Sequence, residues 1–161
     1  MTARPLTAGE WSALSSGLEA ALAARAVSPS IEDRPHFAAH LVRWRFRSLP
    51  IMAVGKTIWW PNAAADLAGA PQMGVLQHEL QHLLDFAEGR LTVVGYLTLP
   101  HNWNYRWKLS ERLDWRRLGA EQRASVAQAL WHAERSGDSH VAERLRDVIP
   151  WARPGLARPP G

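Results

Sequence analysis

The sequence predicts an α+β domain that is mostly helical, with a small antiparallel sheet packed on one central helix. Three observations lead there. Apolar residues recur at helical spacing in "LTAGEWSALSSGLEAALAARA", "VLQHELQHLLDFAEGR" and "GAEQRASVAQALWHAERSG". Two runs rich in aromatic and β-branched residues, "RWRFRS" and "IMAVGKTIWW", stand together ahead of the second of these. At 161 residues the chain can bury one real core but not two comfortable ones, so residues 1–150 read as a single domain and 151–161 as a mobile tail.

Taken in order, a first helix spans about 8 to 25, opened by Thr7 with Glu10 three residues on, a capping-box arrangement. The proline and serines of "VSPSIEDRP" make a loop. A short helix begins near Pro35 and runs through "HFAAHLV". In "RWRFRS" the arginines alternate with Trp44 and Phe46, the period of an extended strand. "IMAVGKTIWW" is a second strand, with a turn or bulge at Gly55 and an end at Pro61. After the loop "PNAAADLAGAP" the central helix starts near 72 and stops at Gly89. "LTVVGYLTLPHNWNY" reads as irregular with a short strand. A strong helix then ends at Gly137, and a last one starts from Asp138 or Ser139.

Composition narrows the function. With no cysteine there are no disulfides and no thiolate metal sites, so any metal must be held by imidazole and carboxylate. No window approaches the roughly 18 apolar residues of a membrane span. The amino terminus lacks the basic-then-apolar layout of a secretory signal, so the expected location is cytoplasmic, with delivery by a signal-independent secretion machine left open. The net charge of +4 and segments such as "YRWKLSERLDWRR" invite a nucleic-acid reading. No recognition motif accompanies them, and solvated faces are the better account.

Chemistry concentrates in "HELQH". On a helix, residues four apart lie about 40° apart and one turn up, so His78 and His82 can aim at one point. Glu79 sits beside the pair, where it can reach a water without filling a coordination position. Two imidazoles holding zinc and a carboxylate taking a proton from water is a hydrolytic arrangement. Met73, Leu76, Leu80, Leu84 and Ala87 form one apolar face. Val75 and Phe86 fall among the polar trio on the other, which therefore faces a cleft rather than bulk water.

A catalytic zinc wants a third protein ligand, and four residues compete. Glu88 stands six residues after His82, but the continuing helix aims it elsewhere. Asp85 suits a supporting role toward an imidazole. His101 lies in a loop. Glu121 is preferred, because it opens the next strong helix, 39 residues beyond His82. His36 and His40 share metal spacing but have no glutamate after the first and no apolar framing, so they read as helix surface. Tyr105 and His101 are the nearby donors for a developing oxyanion, with Tyr105 kept.

The order "RPLTAGEW", "VGKTIWWPNAAADL", "HELQH", "NYRWKLS", "GAEQRA" resembles the short bacterial Vgr-related proteins, zincin-like metallopeptidase domains related to the core domain of contractile-injection-system toxins. The likeness covers roughly residues 4 to 130. It implies a zincin-like fold, zinc at His78 and His82 with Glu121 as third ligand, and Glu79 as general base. It also implies a strand "GKTIWWP" along which an extended peptide substrate lies, and a secretion-system partner. The same likeness allows a catalytically idle binding or delivery module. The tail beyond residue 130 departs from the pattern.

Overall fold

The computed structural model describes residues 3–42, 49–110 and 112–153, with only the backbone described at 41 and 42. The chain opens with strand β1 (Arg4–Pro5) and helix α1 (Ala8–Ser12). The capping box forms: Thr7 Oγ1 accepts the Glu10 N–H at 3.0 Å, and Glu10 Oε2 accepts the Thr7 N–H at 2.8 Å. Glu10 is wholly buried and also takes both Arg4 nitrogens, at 2.9 and 2.8 Å, and the Leu67 N–H at 2.9 Å.

The single helix expected over 8–25 is broken, because the chain turns at Gly17 before α2 (Leu18–Ala24). Gly17 has φ +91°, and a Cβ there would lie 2.3 Å from the Trp151 carbonyl oxygen. The break therefore makes room for a segment far away in sequence, which helical periodicity cannot reveal.

Four short strands form one sheet in the order β1-β2-β4-β3, with β2 at Ser30–Glu32, β3 at Met52–Val54 and β4 at Thr57–Trp59. The sheet is mixed, not antiparallel: β2 and β4 pair in parallel, Ile31 opposite Ile58. Parallel neighbours need a crossover, supplied here by the segment carrying α3 (Phe37–Val42). The expected strand "IMAVGKTIWW" is a hairpin, reversed at Gly55 with φ +64°. This corrects the role assigned to "GKTIWWP". Its strand, β4, lies inside the sheet, and β3 ends the sheet among the described residues. "RWRFRS" lies outside the described residues.

The central helix α4 runs Met73–Ala87, and Gly89 at φ +69° follows its end. Met73, Leu76, Leu80, Leu83 and Leu84 are buried against the sheet and α2. Ala87 is exposed, so the apolar face stops one turn early. Gln77, Gln81 and Asp85 are buried too, making α4 an enclosed helix rather than an amphipathic one.

The region expected to be irregular is helix α5 (Val93–Thr98) and a 3₁₀ turn, Pro100–Trp103. Thr92 caps α5 by accepting the Gly95 N–H at 3.0 Å, and that cap overrides the strand preference of the valines. Next come α6 (Ala120–Ser136) and α7 (Ser139–Val148), the latter capped by Asp138. A second core of Trp115, Leu118, Val126, Leu130, Leu145 and Ile149 fills the space beneath them. The body extends past residue 150, because Trp151 in the turn Pro150–Ala152 donates its indole N–H to Gln81 Oε1 at 2.8 Å. Residues 154–161 of the expected tail lie outside the described residues. About half of the chain is helical, and no described helix is long and apolar enough to cross a membrane.

Burial works to raise the Glu10 pKa, but Arg4 and the N–H groups of Thr7 and Leu67 outweigh it and hold the carboxyl below its ordinary 4.5. A group depressed on folding contributes stability above its unfolded pKa and loses it as pH falls. Glu10→Ala should cost about 3 kcal/mol at neutral pH, by stranding the Arg4 and backbone donors. Urea midpoints measured against pH should fall more steeply below about pH 4.5 for wild type than for Glu10→Gln.

Candidate metal centre

α4 and α6 cross closely at Gly74, where a Cβ would meet His132 Nε2 at 2.9 Å and the Trp131 ring at 3.3 Å. Farther along, Asp85 of α4 and Arg123 of α6 form a buried ion pair, Nε to Oδ2 at 2.9 Å. Between these contacts α4 projects His78 and His82 from successive turns, and the first turn of α6 projects Glu121 between them.

The three converge. His78 Nε2 lies 3.0 Å from Glu121 Oε2, and His82 Nε2 lies 3.5 Å from Glu121 Oε1. One ligand atom from each fits within a 4.8 Å cluster. The imidazole rings are nearly perpendicular, 81° apart with centroids 4.9 Å from each other, so both nitrogens face the carboxylate. His82 and Glu121 are buried, and the His78 side chain keeps 12% exposure on the cleft side. This His-His-Glu group could hold a metal ion. The donor set suits one: two imidazoles and a carboxylate, facing one another in a buried site that lines a cleft.

Within the cluster Glu121 and His82 stabilise each other as charges. Burial works to raise the Glu121 pKa, but hydrogen bonds and charge from His78 and His82 outweigh it and hold the carboxyl far below the carboxylate range. Burial works to lower the His82 pKa, and Glu121, helped by Glu79 and Asp85, lifts it above the usual histidine value. Glu79 is buried beside them; burial pushes its carboxyl up against the opposing pull of His78 and His82. A raised proton affinity is what a general base near neutral pH needs.

Of the four candidates for a third ligand, only Glu121 is in place. Glu88 pairs with Arg25 and Arg90 at the far end of α4. His101 donates from Nε2 to the Arg117 carbonyl at 3.1 Å, away from the cluster. Asp85 is not the imidazole partner expected of it. Its carboxylate receives Gln81 Nε2 and Arg123 Nε, each at 2.9 Å, and His82 Nδ1 is buried without a hydrogen bond. Asp85 instead joins the two helices that carry the cluster.

The cluster floors a cleft. Met52, Ala53 and Val54 of β3 line one side, and Leu91, Val93 and Leu97 around α5 the other. Phe86 lines it, as its place among the polar residues of α4 foretold, whereas Val75 packs on the core. Both tyrosines of the chain are here. Tyr105 is half-exposed, its ring 6.4 Å from that of His78 and nearly parallel to it. Tyr96, which sequence reasoning missed, donates its hydroxyl to Glu121 Oε1. Burial and that carboxylate push its pKa well up, so it stays a phenol. Only Thr92, as a helix cap, could have signalled that Tyr96 points inward. His36, expected on the surface, is buried in the cleft wall, its ring 5.0 Å from that of Trp59 and its Nδ1 accepting the Ala38 N–H; His40 is exposed.

Against known proteins, no family model matches the chain, and neither curated proteins nor solved structures give a match. The class of protein is therefore a matter of the geometry alone.

Arg123→Met should cost about 3–5 kcal/mol at neutral pH, because it leaves Asp85 buried without its charge partner. Burial already pushes the Asp85 carboxyl up in the presence of Arg123, and without Arg123 it must rise further. The deficit should therefore shrink as pH falls and Asp85 protonates, a trend read from denaturation midpoints between about pH 8 and 5.

Proposed function

We propose that the chain is a zinc-dependent metallopeptidase of the HExxH type whose third ligand is a glutamate from a separate helix. The observation that carries this reading is the convergence of His78, His82 and Glu121 beneath a cleft, with Glu79 buried beside them. His78, His82 and Glu121 would hold the ion, and zinc is favoured because two imidazoles from one HExxH helix and a carboxylate are a catalytic zinc set. When bound, the ion supplies Lewis acidity toward a water and a peptide carbonyl.

The residues of the chain do the rest. Glu79 accepts the proton of the attacking water and returns it to the leaving amide nitrogen. Tyr105, half-exposed in the cleft beside His78, would donate to the carbonyl oxygen as it gains charge. An extended substrate would pair along β3, which lines the cleft and ends the sheet among the described residues. The segment order that resembles Vgr-related proteins supports the same assignment.

A second reading is a non-cleaving zincin-like module that binds or delivers another protein within a secretion system. The rim of the cleft favours it: Val93, Val94, Leu97 and Leu99 are all more than 40% exposed, an apolar patch suited to a protein partner. Elemental analysis should find one zinc per wild-type chain, and much less in Glu121→Ala. Glu79→Gln should keep the metal and lose cleavage of a mixed peptide library by about 10²–10⁴-fold. A wild type without zinc would sink both readings; zinc with no cleavage of the library would leave only the second.

A further inference from the structure

We infer that Tyr96 is the positioning residue of the metal centre, holding Glu121 so that a single carboxylate oxygen faces the ion. The inference rests on the metal reading above and adds to it a residue outside the HExxH helix and outside the helix of Glu121.

The two oxygens of Glu121 have different neighbours. Oε2 faces His78 Nε2 at 3.0 Å, whereas Oε1 receives the Tyr96 hydroxyl and stands farther from its imidazole, 3.5 Å from His82 Nε2. A carboxylate so held is biased to present Oε2, because the phenol hydrogen bond occupies one lone pair of Oε1 and draws charge from that oxygen. The bias matters because a carboxylate that ligates through both oxygens takes up the position a water or substrate needs.

Tyr96 is itself held on several sides. Its ring stacks on Trp103 with centroids 5.0 Å apart and meets His82 edge-on at 6.1 Å. Its backbone carbonyl accepts the Trp103 indole N–H. Thr92 caps the short helix that carries it, and Asn102 both donates to the Gly95 carbonyl at 3.1 Å and accepts the Ala120 N–H at 3.2 Å. Asn102 thus ties the wall carrying Tyr96 to the first turn of α6, next to Glu121. Phenol and carboxylate are fixed relative to each other by backbone contacts, and the hydroxyl hydrogen bond is not an accident of two mobile side chains.

The test compares zinc affinity of wild type and Tyr96→Phe, by competition with a chromophoric chelator. Residues that orient a ligand typically change metal affinity about 10- to 100-fold when removed, and a loss of that size is expected. Cobalt(II) substitution should show weaker visible absorption in Tyr96→Phe, as Glu121 swings to two-oxygen ligation and raises the coordination number. Thr98→Ala, an exposed position on the same helix, should leave both unchanged. A residue that merely supports the fold would lower the melting temperature of the metal-free chain and leave affinity and spectrum alone, and that result overturns the inference.

The chain has two tyrosines, so 3-fluorotyrosine labelling of wild type gives a second measure that needs no Tyr96 variant to fold. Tyr105→Phe assigns the resonances. Zinc should shift the Tyr96 signal, and a Tyr96 signal indifferent to stoichiometric zinc overturns the inference. A wild type that binds no zinc removes this inference together with the reading it rests on, whereas zinc bound equally well by Tyr96→Phe removes this inference alone.

Discussion

The contact between α4 and α6 is the constraint on which the rest of the structure depends. It brings a glutamate between two histidines, and neither helix alone could hold these groups out of water. A lone buried carboxylate would cost several kcal/mol in solvation. Here the cost is offset by two imidazoles on one side and a phenol on another. Gly74 allows the helices to approach, and the Asp85–Arg123 pair fixes how far one can slide along the other. Sheet, hairpin and second core then act as packing around this pair, with β3 and α5 forming the walls above it.

Charge within the cluster has a simple logic. The facing imidazoles keep Glu121 ionised, and Glu121 in turn raises the proton affinity of His82. The packing of α4 on α6 gathers the three side chains, so the cost of burying them is met during folding.

How much of this was legible in the sequence depends on the range of the interaction. Thr7 with Glu10, the stop at Gly89 and the cap at Asp138 are local patterns, and each appears where its residue types dictate. His78, Glu79 and His82 share a face because helical geometry fixes their directions. Glu121 was readable only as an acid opening a strong helix; that it sits between the imidazoles depends on packing across 39 residues. The failures share a cause. Gly17 breaks a helix to accommodate Trp151, Asp85 turns from His82 to Arg123, β2 forms in the expected loop "VSPSIEDRP" by pairing with β1 on one edge and in parallel with β4 on the other, and Tyr96 points inward from a segment whose valines suggest a strand. Each was decided by a partner distant in the chain, and no local pattern carries that information.

The Trp151 contact has a consequence for the order of assembly. Its indole fixes Gln81, Gln81 fixes Asp85, and Asp85 fixes Arg123, so one line of hydrogen bonds leads from the last described turn to the helix of Glu121. The backbone of the same turn fills the notch at Gly17, near the start of the chain. The large sequence separation of these contacts makes them slow to close. A polypeptide clipped before Trp151 would carry every chemical group of the centre and lose this line of hydrogen bonds to the helix of Glu121.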